Sequence, residues 1–266
     1  MPAVRHAAVE GLFYPSAPTA LREQVEGFLH DIGPEAEAVH PRAKLLIAPH
    51  AGYAYSGAIA ASAYALLRRT HTPAIRRVVL LGPAHRVWVN DLAAAEVDAF
   101  QTPLGRVPID RETLDRLADL PQVIRSDRAH AQEHSLEVQL PFLQATLGQF
   151  TLVPLVVGDT GAQAVAEVLE RLWGGDETLI VISSDLSHYL PYAKAKTVDH
   201  ATVQRILRFD AGLTPHEACG CEAINGALRA ARHHGLKPRL LDLRNSGDTA
   251  GGHDRVVGYT AIAFEA

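Results

Sequence analysis

The chain has 266 residues, 47% of them hydrophobic, and a formal net charge of -5 from 25 basic and 30 acidic side chains. That is enough apolar material for a sizeable core, and the mixed charge offers no basic face to nucleic acid or to an anionic membrane. No apolar run reaches the roughly 18 residues of a membrane span, and Met1–Pro15 lacks the apolar stretch and cleavage site of a secretory signal, so a cytoplasmic location is expected.

Strands are read from short β-rich apolar runs, helices from apolar residues at three- and four-residue spacing. The nearest thing to a seam is Gly33–Pro41, a short loop with two prolines; residues 1–266 read as one domain without repeats. A strand is expected at Lys44–Ala48, then a largely buried helix over Ser56–Arg69, which is apolar nearly all round. A strand follows at Arg77–Leu81, with a hairpin within Asp91–Ile109. Leu136, Leu140, Leu143 and Leu147 mark a helix that Pro141 either kinks or begins. The strand Phe150–Val157 precedes a helix through Val165, Val168, Leu169 and Leu172, and the next strand is Thr178–Ser183. Val203, Ile206 and Leu207 mark another helix. Ile224, Ala227, Leu228 and Ala231 mark the last, with Gly235 as its C-cap. Strands at Arg239–Leu243 and Val256–Phe264 close the chain. The alternation predicts a three-layer α/β/α sandwich with a mostly parallel central sheet; the closeness of the last two strands leaves a mixed sheet open.

Three predicted strands run into polar loops of one kind. Lys44–Ala48 leads to His50, Arg77–Leu81 leads to His85, and Thr178–Ser183 leads to Asp185 and His188. Ligands of open α/β sheets bind beyond the carboxyl ends of the strands. If these strands are parallel neighbours, the four side chains converge there, but strand order is not written in the sequence. The plainer alternative is that each histidine caps a strand or bonds a loop. The threefold recurrence weakens that alternative; Pro49, Gly52, Gly82 and Pro83 fix tight backbone nearby, as a preorganised site requires, but they also suit any tight turn.

The only two cysteines, Cys219 and Cys221, stand one residue apart, a poor disulfide framework. They lie just before or at the start of the Ile224 helix, where the helix dipole favours a thiolate. A thiolate with two imidazoles suits Zn2+, Fe2+ or copper. Cys221 falls on the apolar side of that helix and reads as a small buried residue; for Cys219, ligand and structural thiol both stand. Glu133-His134-Ser135-Leu136-Glu137 reads either as a general base or ligand beside carboxylates or as a solvated helix start. His233 and His234 suit the last turn of a helix as structural cations. His30, His40, His71, His200 and His216 read as surface residues.

Seven ordered segments resemble the Memo family (mediator of ErbB2-driven cell motility) and its bacterial and archaeal relatives, the Memo-like component of the AmmeMemoRadiSam system. They are Glu10–Pro15, Ile47–Gly57, Leu81–His85, Glu133–Phe142, Ser183–His188, Ala218–Gly220, and Asn245–Asp248 with Val256–Tyr259. The resemblance implies the fold of class III extradiol dioxygenases (LigB-like), whose non-haem Fe2+ is held by two histidines and a carboxylate. It implies His50, His85 and Cys219 as ligands of one divalent or redox-active metal, Fe2+ or copper ahead of Zn2+. Asp185, His188 and His134 are implied as the catalytic residues lining the same pocket. Cys221 and His253 are not carried over.

A thiolate in place of a carboxylate softens the site and makes it prone to oxidation. The fold analogy therefore supports a metal site better than it supports ring cleavage. Three functions are weighed: a metal-dependent, dioxygenase-related oxidoreductase of unknown substrate; a non-catalytic module binding a peptide or small molecule in the same pocket; and a zinc hydrolase. The resemblance also implies radical-SAM and AMMECR-like pathway proteins as partners.

Overall fold

A computed structural model describes residues 3–33, 43–69 and 75–266. In chain order the elements are β1 (Val4–Arg5), α1 (Pro18–Asp31), β2 (Ala43–Ala48), α2 (Tyr53–Tyr64), β3 (Arg77–Pro83), β4 (Leu92–Ala94), β5 (Ala99–Thr102), β6 (Gly105–Pro108), α3 (Arg111–Asp115), β7 (Val123–Arg125) and α4 (Asp127–Ala131). They continue with α5 (Leu140–Leu147), β8 (Thr151–Val157), α6 (Ala162–Leu172), β9 (Thr178–Ser183), β10 (His188–Leu190), α7 (Tyr192–Leu207), α8 (Cys221–His233), β11 (Lys237–Asn245) and β12 (Val256–Glu265).

The four central strands, β2, β9, β3 and β8, lie side by side and parallel, and their interiors are buried runs of Val, Leu and Ile. Such continuous apolar runs mark strands covered on both faces. Antiparallel strands flank this core: β12 beside β2, and β4 beside β8, with β7 outermost. The sheet is therefore mixed, and β11 and β12 form an antiparallel pair at one side. Because β11 occupies one edge of β12 along its length, β10 and β2 share the other edge.

The connections decide the layers. From β2 to β3 the chain steps across β9 in one direction; from β8 to β9 it steps across β3 in the other. Right-handed crossovers place α2 and α6 on opposite faces. The contacts agree: α1, α2 and α5 pack together, while α6 packs on α8, which rests on β3 and β9. α7 packs on β11 and β12. The three-layer α/β sandwich is as expected. Among the described residues no helix is long and apolar enough to cross a membrane.

Several expectations are corrected in detail. The helix expected over Ser56–Arg69 starts earlier, at Tyr53, and gives way to a 3-10 segment at Ala65–Arg69. The Leu136 helix begins as a 3-10 turn, Glu137–Gln139, and becomes α at Leu140 with Pro141 in its first turn, where a missing N–H costs nothing. The Asp91–Ile109 region splits between two sheets. β4 joins the main sheet, whereas β5 and β6 form a hairpin in a small sheet completed by β1. Helix α1 was not foreseen, although Leu21, Val25 and Leu29 give it a buried stripe at four-residue spacing. His30, His200 and His216 are exposed as expected; His40, His71 and most of the Gly33–Pro41 loop lie outside the described residues.

Candidate metal centre

The strand order left open by the sequence is the one a shared site requires. β2, β9 and β3 are adjacent and parallel, so the residues beyond their carboxyl ends share one crevice. His50, His85 and His134 meet there: one ring nitrogen from each lies within 4.8 Å of the other two. The ring centroids of His50 and His85 are 5.2 Å apart, those of His85 and His134 4.7 Å, and those of His50 and His134 5.5 Å.

Proton counting fixes two of the three imidazoles. The Ser183 hydroxyl donates its one proton to the Ser135 carbonyl at 2.6 Å. It also receives a bond from Gln139 Nε2 at 2.7 Å. The Gln139 amide is itself oriented, since its oxygen accepts from Tyr64 at 2.7 Å and its nitrogen donates to the Pro49 carbonyl at 2.9 Å. Having no second proton to give, Ser183 Oγ accepts from His50 Nδ1 at 2.8 Å, so the His50 proton sits on Nδ1. His85 Nδ1 lies 2.9 Å from Glu133 Oε1, while Glu133 Oε2 accepts the His85 amide at 2.6 Å. Glu133 is buried, which pushes its pKa up. The hydrogen bonds from the His85 ring and from the Ser135 and His85 amides outweigh that and hold it at about 2. An ionised carboxylate only accepts, so His85 also carries its proton on Nδ1. Nδ1 of each ring is thereby committed and Nε2 is the atom turned to a ligand, the arrangement by which outer partners orient metal-binding histidines.

His134 completes the cluster less firmly. Its Nδ1 lies 3.4 Å from Glu133 Oε1 without a hydrogen bond of good geometry, and its ring is edged by Phe13 at 4.9 Å. Burial lowers its pKa to about 4, and burial with the neighbouring His85 and His134 lowers that of His50 well below the ordinary value. These imidazoles are neutral near pH 7, the form that coordinates metals.

The other foreseen residues border the cluster. Asp185 is buried and accepts the His50 amide at 2.8 Å; burial raises its carboxyl to about 7. His188 begins the short strand β10 rather than extending β9, and its Nδ1 faces the Leu186 carbonyl at 2.8 Å. A carbonyl accepts only, so its Nε2 is free as well. Cys219 Sγ lies 3.4 Å from His50 Nε2 and accepts the Asp185 amide at 3.3 Å. It stands outside the three-histidine grouping, in the wall of a cavity of about 310 Å³ shared with His85, Trp88 and Asp159. The thiolate expected from the helix dipole is not favoured. Helix α8 starts only at Cys221, after Gly220, and burial, then the Asp185 charge, push the Cys219 thiol up to about 12. Cys221 is buried on α8, as expected.

Glu133–Glu137 is not a solvated helix start, since Glu133, Ser135 and Glu137 are all buried. Three residues central to the site were overlooked in the sequence, namely Ser183, Gln139 and the role of Glu133. The one signal for them in the sequence is the presence of polar residues within or beside apolar runs. Arg5 was overlooked too. It ion-pairs with Glu137 and donates to the carbonyls of His130 at 3.1 Å and Glu133 at 2.6 Å, tying the small sheet to the loop that carries His134.

A three-layer α/β protein with oriented imidazoles converging at the carboxyl ends of its parallel strands is the class these features define. The family model described as Memo-like protein matches residues 5–263, and the chain belongs to that family. It is 38% identical to a MEMO1 family protein of Sulfolobus acidocaldarius, over 98% of this chain and 99% of the relative. It is 36% identical to a MEMO1 family protein of Methanopyrus kandleri, over 98% of each chain. Among solved structures, the uncharacterized protein JW3007 from Escherichia coli K12 shares the fold, with a TM-score of 0.50 and 14% identity over 83% of this chain and 99% of that one.

Proposed function

We propose that the chain holds one metal ion through His50, His85 and Cys219, and that it is an oxidoreductase-type protein related to the dioxygenases, acting on a small molecule or a peptide segment. The observation that carries this reading is the pair of fixed tautomers. His50 and His85 both commit Nδ1 to buried acceptors and present Nε2 to the same pocket, with the Cys219 sulfur 3.4 Å from one of them. Two imidazoles and a thiolate form a borderline-to-soft donor set that suits iron or copper. Such an ion would supply one-electron and O2 chemistry there. The chain's own residues divide the remaining work. Ser183 and Glu133 orient the ligating rings. His188 and His134 stand at the pocket as bases, and Asp185 holds the His50 backbone in place.

The mutual approach of His50, His85 and His134 favours one other reading, a three-imidazole set binding Zn2+ in a hydrolase. Anaerobic purification followed by metal analysis separates the two. Iron or copper at one equivalent, lost in Cys219→Ala and kept in Cys221→Ala and His134→Ala, supports the first reading. Zinc at one equivalent, lost in His134→Ala and kept in Cys219→Ala, replaces it with the second. A chain that takes up no metal on reconstitution rejects both and leaves a ligand-binding pocket without an ion.

A further inference from the structure

On the face of the sheet carrying α6 and α8, a second group of metal-ligating side chains stands apart from the histidine pocket. His233 is the last residue of α8 and His234 follows it as the C-cap; Glu170 projects from α6. Glu170 Oε1 lies 2.9 Å from His233 Nδ1, and Glu170 Oε2 lies 2.8 Å from His234 Nε2. One ligand atom from each residue falls within 4.8 Å of the other two. We propose that Glu170, His233 and His234 form a peripheral site for a borderline divalent cation of the Zn2+, Ni2+ or Cu2+ type.

Four features support it. The donors are one carboxylate and two imidazoles, the oxygen–nitrogen set such cations prefer. Their spacing is within reach of coordination: bonds of about 2.0–2.1 Å put tetrahedral ligand atoms about 3.3 Å apart, and one ligand atom from each of the three residues already lies within 4.8 Å of the others. The helices carrying them are held tightly. Gly226 of α8 sits against Val165 of α6 so closely that a Cβ there would collide with the valine side chain. The site also lies at the carboxyl end of α8, whose partial negative charge attracts a cation.

His234 is held from its other side. Its ring stacks on Trp173 with centroids 3.8 Å apart and planes 6° from parallel. Stacking narrows the positions open to the ring, which lowers the ordering needed when an ion arrives. His233 and His234 are 73% and 30% exposed and Glu170 is 36% exposed, so an ion reaches them from solvent and keeps water or another ligand on its open positions. The plainer account, two cationic histidines at a helix end paired with a carboxylate, uses the same contacts but involves no ion.

Trp173 provides the test. The chain has two tryptophans, and the other, Trp88, lies beside His85. In the full-length Trp88→Phe variant, Trp173 is the sole tryptophan. Titrating Cu2+, a quencher at short range, is expected to quench its fluorescence saturably with a midpoint in the micromolar range. His233→Ala and Glu170→Gln, each added to Trp88→Phe, are expected to raise that midpoint at least tenfold while leaving the far-ultraviolet circular dichroism unchanged. His50→Ala is expected to leave it unmoved. Quenching that never saturates, or that is equally strong in His233→Ala and Glu170→Gln, overturns the proposal in favour of a simple ion pair. A midpoint that moves with His50→Ala instead overturns it by placing the ion in the histidine pocket.

Discussion

His50 donates its Nδ1 proton to Ser183 Oγ because the serine's own proton is already committed to the Ser135 carbonyl, at 2.8 and 2.6 Å respectively. A strand residue with an ordinary hydroxyl thus sets the protonation of a histidine from a neighbouring strand. Replacing it should be costly out of proportion to its size. Ser183→Ala strands His50 Nδ1 and one Gln139 donor in a buried site, and a loss of about 1–3 kcal/mol in stability is expected. The His50 ring is then free to place its proton on Nε2. Nitrogen-15 NMR of the histidine side chains should show the Nδ1-protonated form of His50 in the parent chain and a mixture in the variant. An unchanged tautomer in Ser183→Ala would refute the proton count.

Arg5 and Glu137 form a buried ion pair whose carboxylate also accepts the amides of Ala8 and Val9, at 2.8 and 3.1 Å, and the Tyr14 hydroxyl. Arg5→Ala removes one charge and leaves the other buried. The expected loss is about 3–5 kcal/mol, read as a lower urea midpoint with unchanged slope. A cost under about 1 kcal/mol would mean that the pair is not closed off from water.

Gly220 separates Cys219 from α8 and packs on the end of β9. A Cβ at this position would lie 2.8 Å from Ser184 Cβ and 2.9 Å from the Ser183 carbonyl. Gly220→Ala should therefore destabilise the chain by about 1–3 kcal/mol through overpacking. It should also displace Cys219 from His50. Reactivity of Cys219 towards a thiol reagent is expected to rise in this variant, and equal rates in parent and variant would contradict the packing argument.

Asp199, on α7, is buried, and burial raises its carboxyl to about 6 even though it accepts the Ser187 amide at 3.0 Å. A folded-state pKa above the unfolded value contributes stability that is present at low pH. That stability is lost as pH rises from about 4 through about 6. Asp199→Asn keeps the acceptor and cannot ionise. It should match the parent near pH 3.5 and exceed it by roughly 1–3 kcal/mol at pH 8. Denaturation midpoints at the two pH values check this; a constant offset between the chains would disprove the linkage.

Much of the arrangement was legible before the fold. Strands β2, β3, β8 and β9 follow from apolar runs that only a sheet buried on both faces accommodates. His50, His85 and Asp185 follow from their places just past three of those runs. The residues that escaped notice are those whose meaning depends on a partner far along the chain. Ser183 looks like the end of a strand until Gln139, 44 residues away, and His50, 133 residues away, are placed against it. Arg5 looks like an exposed cation until Glu137, 132 residues away, covers it.

By itself, then, the sequence determined the four central strands, the helices between them and the end of the sheet at which chemistry is offered, because periodicity and strand ends are local properties. Only the tertiary structure decided that β9 lies between β2 and β3, which brings the histidines together. It also decided which nitrogen of each ring is free, because a proton's position is set by the full complement of acceptors around it. And it decided that the helix dipole does not favour a free Cys219 thiolate, because α8 begins two residues too late and burial raises the thiol's pKa.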